Sequence, residues 1–166
     1  MMDYKTLIRS LELPDGYVAP DVLGYGNITA RALSRADLVA DVTGINSSLD
    51  IIRQTRGGAW PTGPVTEAFD FVDLVWHEHE FRENYSFAYA IYDEGDQYVG
   101  CCYLYPMGRR TPLNDTLLHH DVDVSWWVTT DAYQRGYYAN LYLALGQWIA
   151  DSFPFTNPYY SNREIP

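Results

Sequence analysis

The sequence is poor in positive charge. Of its 11 cationic side chains only Lys5 is a lysine, and 22 acidic side chains leave a formal charge of −11 and a pI near 4.5. A nucleic-acid backbone or an anionic membrane needs a basic surface opposite it, so neither is an expected partner. Cysteine is scarce as well. Cys101 and Cys102 are adjacent in a strand-like run, which sends their side chains to opposite faces and disfavours a mutual disulfide, so both are expected as reduced thiols. The opening stretch "MMDYKTLIRSLELPDGY" has no long apolar run, hence no signal peptide or spanning helix is expected and the protein is read as cytoplasmic. Without secretion, glycosylation-type triplets such as that at Asn27 carry no weight. Internal repeats and low-complexity segments are lacking too.

What is present is apolar and aromatic. Hydrophobic residues make up 47% of the 166 positions, with 15 tyrosines and 5 tryptophans. That is enough to bury the core of one domain, with disorder confined to the ends. A short amphipathic segment at residues 3–11 reads as an appendage, and the Pro- and Gly-rich stretch at 13–26 as a linker, so residues 1–26 precede a core at 27–166. "NITARALSR" alternates as an edge strand does. Ser34 with Asp37 resembles a capping box opening a helix to about residue 53. Gly57, Gly58, Pro61, Gly63 and Pro64 break the pattern. A second helix is expected from Thr66 to Arg82, with Phe69, Val72 and Trp76 on one face at helical spacing.

After Asn84 the period changes. "SFAYAIYDE" and "YVGCCYLYP" read as strands joined through Gly95-Asp96, a hairpin signal. Tyr85, Tyr89, Tyr92, Tyr98, Tyr103 and Tyr105 alternate into and out of that sheet, where aromatic pairs stabilise neighbouring strands. A loop with Arg109, Arg110 and Pro112 leads to "DVDVSWWVTT", another strand. Its alternation puts Asp121, Asp123, Ser125 and Trp127 on one face and Val122, Val124, Trp126 and Val128 on the other. The last helix, Tyr137 to Asp151, carries Tyr138, Leu141, Tyr142, Leu145, Trp148 and Ile149 at i, i+3, i+4 spacing. "FPFTNPYYSN" closes as a short strand.

This order of elements resembles the GNAT N-acyltransferase superfamily, over roughly residues 28–162. "FAYAIYDEGDQYVGCCYLYP" is similar to its second and third strands, "DVDVSWWVTTDAYQRGYYANLYLALGQWI" to its fourth strand, cofactor loop and following helix, and "PYYSN" to its fifth strand. "WPTG" and "WHEHEF" around the second helix are similar to small members. The resemblance implies an α/β (α+β) fold with a mixed, largely antiparallel central sheet flanked by helices. It also implies acetyl-CoA as cosubstrate, with no metal. The family's loop, Q/R-x-x-G-x-G/A, holds pyrophosphate on backbone amides at a helix start, which needs no cationic side chain. Gln134 fills its first position and Ala139 its last. Tyr137 stands where the middle glycine belongs, with Gly136 one place early. "QRGYYA" is therefore either a phosphate cradle or a strand-to-helix turn.

By that resemblance Gln134, Arg135, Gly136, Tyr137, Tyr138 and Ala139 are the expected cofactor contacts. Trp127, Val128 and Thr129 join them at the end of the strand whose amides polarise the thioester, as does Asn162 after the last strand. Asp123 is the candidate general base, against the reading that the aspartates only line a solvated strand face. The helix that commonly supplies a tyrosine as general acid, and the last two strands, do not follow Asn162 here. Tyr142 or Tyr159 could take that role, a partner subunit could, or no transfer occurs. Arg109 and Arg110 either reach an acidic ligand or stay a solvated loop pair.

Among the histidines, His77 and His79 lie two apart on a helix, roughly 160° around its axis. They do not form HExxH. Two functions remain in contention: an N-acetyltransferase for a small amine, and a GNAT-like binding or dimerising module without catalysis. A metal hydrolase is a distant third. An uncovered sheet edge at the last strand leads to the expectation of a homodimer.

Overall fold

The computed structural model describes residues 8–166. The expected amphipathic segment at 3–11 therefore lies partly outside the described residues, although Leu11 is in the core. A six-stranded sheet runs in the order β1 (Val22–Tyr25), β2 (Ile28–Ala32), β3 (Phe87–Tyr92), β4 (Tyr98–Tyr105), β5 (Val122–Val128) and β6 (Pro158–Tyr160). Neighbours are antiparallel as far as β5, whereas β6 lies parallel to β5. A parallel pair needs a crossover. Here it is α4 (Thr130–Gln134) followed by α5 (Tyr137–Ser152).

The alternation read in "DVDVSWWV" divides the core. Val122, Val124, Trp126 and Val128 pack under α5 against Tyr138, Leu141, Leu145, Trp148 and Ile149. Trp127 faces the opposite layer with Cys101, Tyr103 and Ala88, covered by α1 (Leu38–Asn46), α2 (Leu49–Thr55) and α3 (Glu67–Arg82) through Ile45, Ile52 and Leu74. Cys101 and Cys102 fall one on each side, both as free thiols. Gly100 of β4 lies tight against β5: an added Cβ would collide with the Trp127 carbonyl oxygen.

Several expectations need correction. The supposed linker contains β1, which pairs with β2 and takes the sheet edge from it. The capping box at Ser34 and Asp37 forms, but it opens a 3-10 turn at Arg35–Asp37, and the helix then breaks into α1 and α2 at Ser47–Ser48. The apolar stripe on α3 exists but faces solvent: Phe69, Val72 and Trp76 are 67%, 55% and 58% exposed. Its buried residues are Asp70, Leu74 and His77. Among the described residues no helix is long and apolar enough to cross a membrane.

Candidate functional site

Thr129 follows β5 and caps α4, its Oγ1 accepting from the Ala132 N–H at 3.2 Å. Six residues later Arg135 closes that turn, and Gly136 reverses the chain with φ 85°. Left-handed backbone is where glycine is favoured, and it lets α5 start at once. The sequence placed the family's glycine one position late, at Tyr137; the conformation that needs a glycine is at Gly136. Asn140 is the first residue to return a helical bond, to the Gly136 carbonyl. The amides of Tyr137, Tyr138 and Ala139 are the first-turn donors that a helix leaves for an external acceptor. Gln134, Gly136 and Ala139 are exposed around them, and an added Cβ at Gly136 meets nothing within 4 Å. The space outside this turn is open to an anion.

Two other residues of the motif are engaged elsewhere. Arg135 pairs with Asp93 at 3.2 Å and Asp131 at 2.9 Å, its guanidinium 4.8 Å from the Tyr137 ring centroid. Tyr137 is buried, with its hydroxyl accepting from Asn27 Nδ2 at 3.2 Å. Any anion at this turn therefore meets amides rather than a free cation.

Beside the turn, β5 and β6 pair only from Val122–Pro158 to Val124–Tyr160. Past that point the strands part and Asn162 spans them. Its Oδ1 accepts from the Trp126 N–H at 3.0 Å, and its Nδ2 donates to the Trp126 carbonyl at 2.9 Å and to the Tyr138 hydroxyl at 2.7 Å. Tyr138 in turn donates to the Glu164 carbonyl, and burial raises its hydroxyl to about 12. The N–H groups of Arg163 and Glu164 bond the carbonyls of Arg56 and Thr55 at the end of α2. The Trp126 amide, on the strand whose amides are expected to polarise the thioester, is occupied here by Asn162. By strand alternation the Val128 amide points to the same side.

Under β5, Asp123 is 0% exposed and accepts from the Ser161 hydroxyl. Arg110 Nε donates to Ser161 Oγ at 3.1 Å, and Arg56 reaches Ser125 Oγ at 3.2 Å with its guanidinium 4.3 Å above the Tyr103 ring. Burial pushes the Asp123 carboxyl up, while the Ser161 hydroxyl and the nearby arginines pull against that. The same burial, with Arg56 beside it, lowers Arg110 to about 10. This polar face is interior, so Asp123 does not line a solvated strand. Nor are Arg109 and Arg110 a solvated pair: Arg109 binds Glu80 and stacks on Tyr105 at 4.1 Å, and Arg110 is also tied to the Arg56 carbonyl at 2.7 Å. Arg56 belongs to no local pattern, and Ser161, although within "PYYSN", has no spacing that announces its bond to Asp123.

Tyr142 stacks on Trp126 at 5.4 Å and meets Tyr160 edge-on. It lies on the α5 side of β5, opposite Asp123, so only a group held in the gap between β5 and β6 would meet both. Tyr159 packs against His120 and the Met107, Leu113, Leu117 cluster. Trp127 Nε1 donates to the Tyr103 hydroxyl at 2.9 Å. His77 packs between Asp73 and Tyr105, and His79 between Trp76 and Tyr85. Among the described residues no group of three or more His, Cys, Asp or Glu could hold a metal.

No protein-family profile and no curated protein matches the sequence. Solved structures do. The ribosomal-protein-S5-alanine acetyltransferase from Vibrio fischeri aligns with a TM-score of 0.56 at 9% identity, over 78% of this chain and 67% of that one. A ribosomal L7/L12 alpha-N-protein acetyltransferase in complex with coenzyme A aligns at 0.58 and 10%, over 76% and 67%. A GnaT-family acetyltransferase from Bordetella pertussis aligns at 0.55 and 18%, over 80% and 74%. The chain spans about two thirds to three quarters of these proteins. With its largely antiparallel sheet, parallel last pair and glycine-started crossover helix, it has the GNAT acetyltransferase fold.

Proposed function

We propose that the protein is an acyl-CoA-dependent N-acyltransferase acting on a small amine. The observation that carries this reading is the open start of α5. A left-handed Gly136 exposes the first-turn amides of a 16-residue helix, flanked by Gln134 and Ala139. That geometry fits a pyrophosphate without a cationic side chain. The coenzyme complex of a similarly folded ribosomal-protein acetyltransferase supports the choice of ligand.

Acetyl-CoA would supply an activated acyl group. The first turn of α5 would hold its pyrophosphate, and Thr129 and Val128 would border the arm leading into the gap between β5 and β6. Asn162, now spanning the Trp126 peptide, would have to release that amide for it to donate to a thioester oxygen. Asp123, with its carboxyl held above the usual range by burial, is suited to accept the proton of an attacking amine through Ser161. Tyr142, on the other side of the gap, would return a proton to the departing sulfur.

Thermal unfolding with saturating acetyl-CoA, against dephospho-CoA and ATP, tests the reading. Saturation near 100 times Kd adds about 2.7 kcal/mol, which raises Tm by roughly 5–10 °C at this size. A rise specific to the acylated coenzyme is expected, with Asp123→Asn keeping the rise while losing turnover on amines. No rise would leave the "QRGYYA" turn as a structural link alone.

A further inference from the structure

α3 presents two chemically opposite faces in the wrong order for a surface helix. Inward it buries Asp70, 2% exposed, and His77, 5% exposed, around Leu74. Outward run Ala68, Phe69, Val72, Val75 and Trp76, with no charged side chain on the line between them. The stripe ends in recesses of different make. At its N-terminal end a recess of about 420 Å³ is lined by Trp60, Pro64, Val65 and Phe69. At the other end Trp76 stands beside His79 and Arg82.

We infer that this face is the interface of a homodimer, with the α3 helices of two copies packed antiparallel across a two-fold axis beside Val72. The spacing makes the surface self-complementary. Phe69 and Trp76 are seven residues apart, about 10.5 Å along the helix, and an axis midway between them sets each against the other in the partner copy. Trp76 then fills the recess beside Phe69, and the same contact repeats on the other side. This reciprocity is what an isologous interface requires.

The area agrees. Phe69, Val72, Trp76 and their apolar neighbours expose on the order of 400 Å² per copy, within the roughly 300–600 Å² of the largest apolar patch on a monomer, which is often functional. Asp73, Glu67 and Arg82 flank the stripe and would form a polar rim around that apolar centre, bringing the total toward the ~800 Å² per partner of a specific complex. The β6 edge, where the sequence led to the expected dimer, is a weaker candidate. It is three residues long and half-buried, and a short edge strand is itself a device against pairing.

Sedimentation velocity of the full chain from about 1 to 500 µM, the range expected of a small interface, tests the inference. The sedimentation coefficient should climb from monomer to dimer. The midpoint should move to lower concentration as salt is raised, because each copy carries −11 and screening relieves their repulsion. Trp76→Glu should weaken association by at least tenfold without changing the circular dichroism spectrum, since the side chain is 58% exposed. Val72→Cys should crosslink to itself under oxidation, whereas Tyr160→Cys on β6 should not; Cys101 and Cys102 are buried and do not compete. A monomer at every concentration, a dimer indifferent to Trp76→Glu, or crosslinking through position 160 instead of 72 would overturn it.

Discussion

α3 and α5 are both 16 residues long and lie on opposite faces of one sheet, yet they are assembled in opposite senses. α5 buries Tyr137, Tyr138, Leu141, Ala144, Leu145, Trp148 and Ile149 against β5 and its neighbours. α3 buries two ionisable groups and one leucine, and turns Phe69, Phe71 and Trp76 outward, with only Phe81 at its end packed against Phe87 and Tyr89. One helix therefore supplies hydrophobic stability directly. The other sets a buried carboxyl, Asp70, against Asp41 of α1. The lesson is that helical periodicity reveals an apolar stripe but not which way the stripe faces.

The difference is sharpest in the response to truncation. Leu141→Ala, at a position with no exposure, should cost about 3 kcal/mol, read as a fall in the urea midpoint. A loss below 1 kcal/mol would show that α5 is not the dominant packing element. Next in size is Asp70→Asn. Burial, then the facing Asp41, raises the Asp70 carboxyl to about 8. The folded state therefore holds a proton that the unfolded chain releases near pH 4. The contribution of Asp70 to stability is greatest below that pH, falls as pH rises, and levels off only above about 8. Asp70→Asn should flatten this decline and stabilise the protein at pH 8 by on the order of 1–2 kcal/mol. Denaturation curves of both proteins from pH 5 to 9 check it, and parallel pH profiles would refute the buried carboxyl pair.

A smaller effect is expected at the start of α5. Gly136→Ala places a Cβ in left-handed backbone and should cost about 1 kcal/mol. Because the space there is open, the cost should come from conformation rather than collision, so Gly136→Asn should recover part of it. Smallest is Val72→Gln on α3, which at dilute, monomeric concentrations should change stability by no more than about 0.5 kcal/mol. A larger loss would mean that the stripe packs within one chain.

Much of the architecture was legible because local pattern and burial coincide. The strands β3 and β5 alternate cleanly and β4 does so beyond the register shift at Val99-Gly100, the two faces of "DVDVSWWV" pack as their alternation implies, and α5 carries an uninterrupted 3.6-residue stripe. Elsewhere they part. β1 hides in a segment punctuated by Pro14, Gly16, Pro20, Gly24 and Gly26, and exists because β2 offers it an edge. α4 has too few residues to show a period. At the candidate site, the left-handed glycine was found one residue from its expected place. The network of Arg56, Ser125, Arg110, Ser161 and Asp123 joins residues far apart in sequence, so no local spacing announces it.

The adjacent cysteines turn the two sides of the sheet into two separate clocks. Cys101 lies under α1–α3 and Cys102 under α5, and burial raises both thiols far above their ordinary range. Neither can react with an alkylating reagent until its own layer opens. A single peptide, digested and weighed after timed labelling, would therefore record in neighbouring residues which layer of the molecule breathes first.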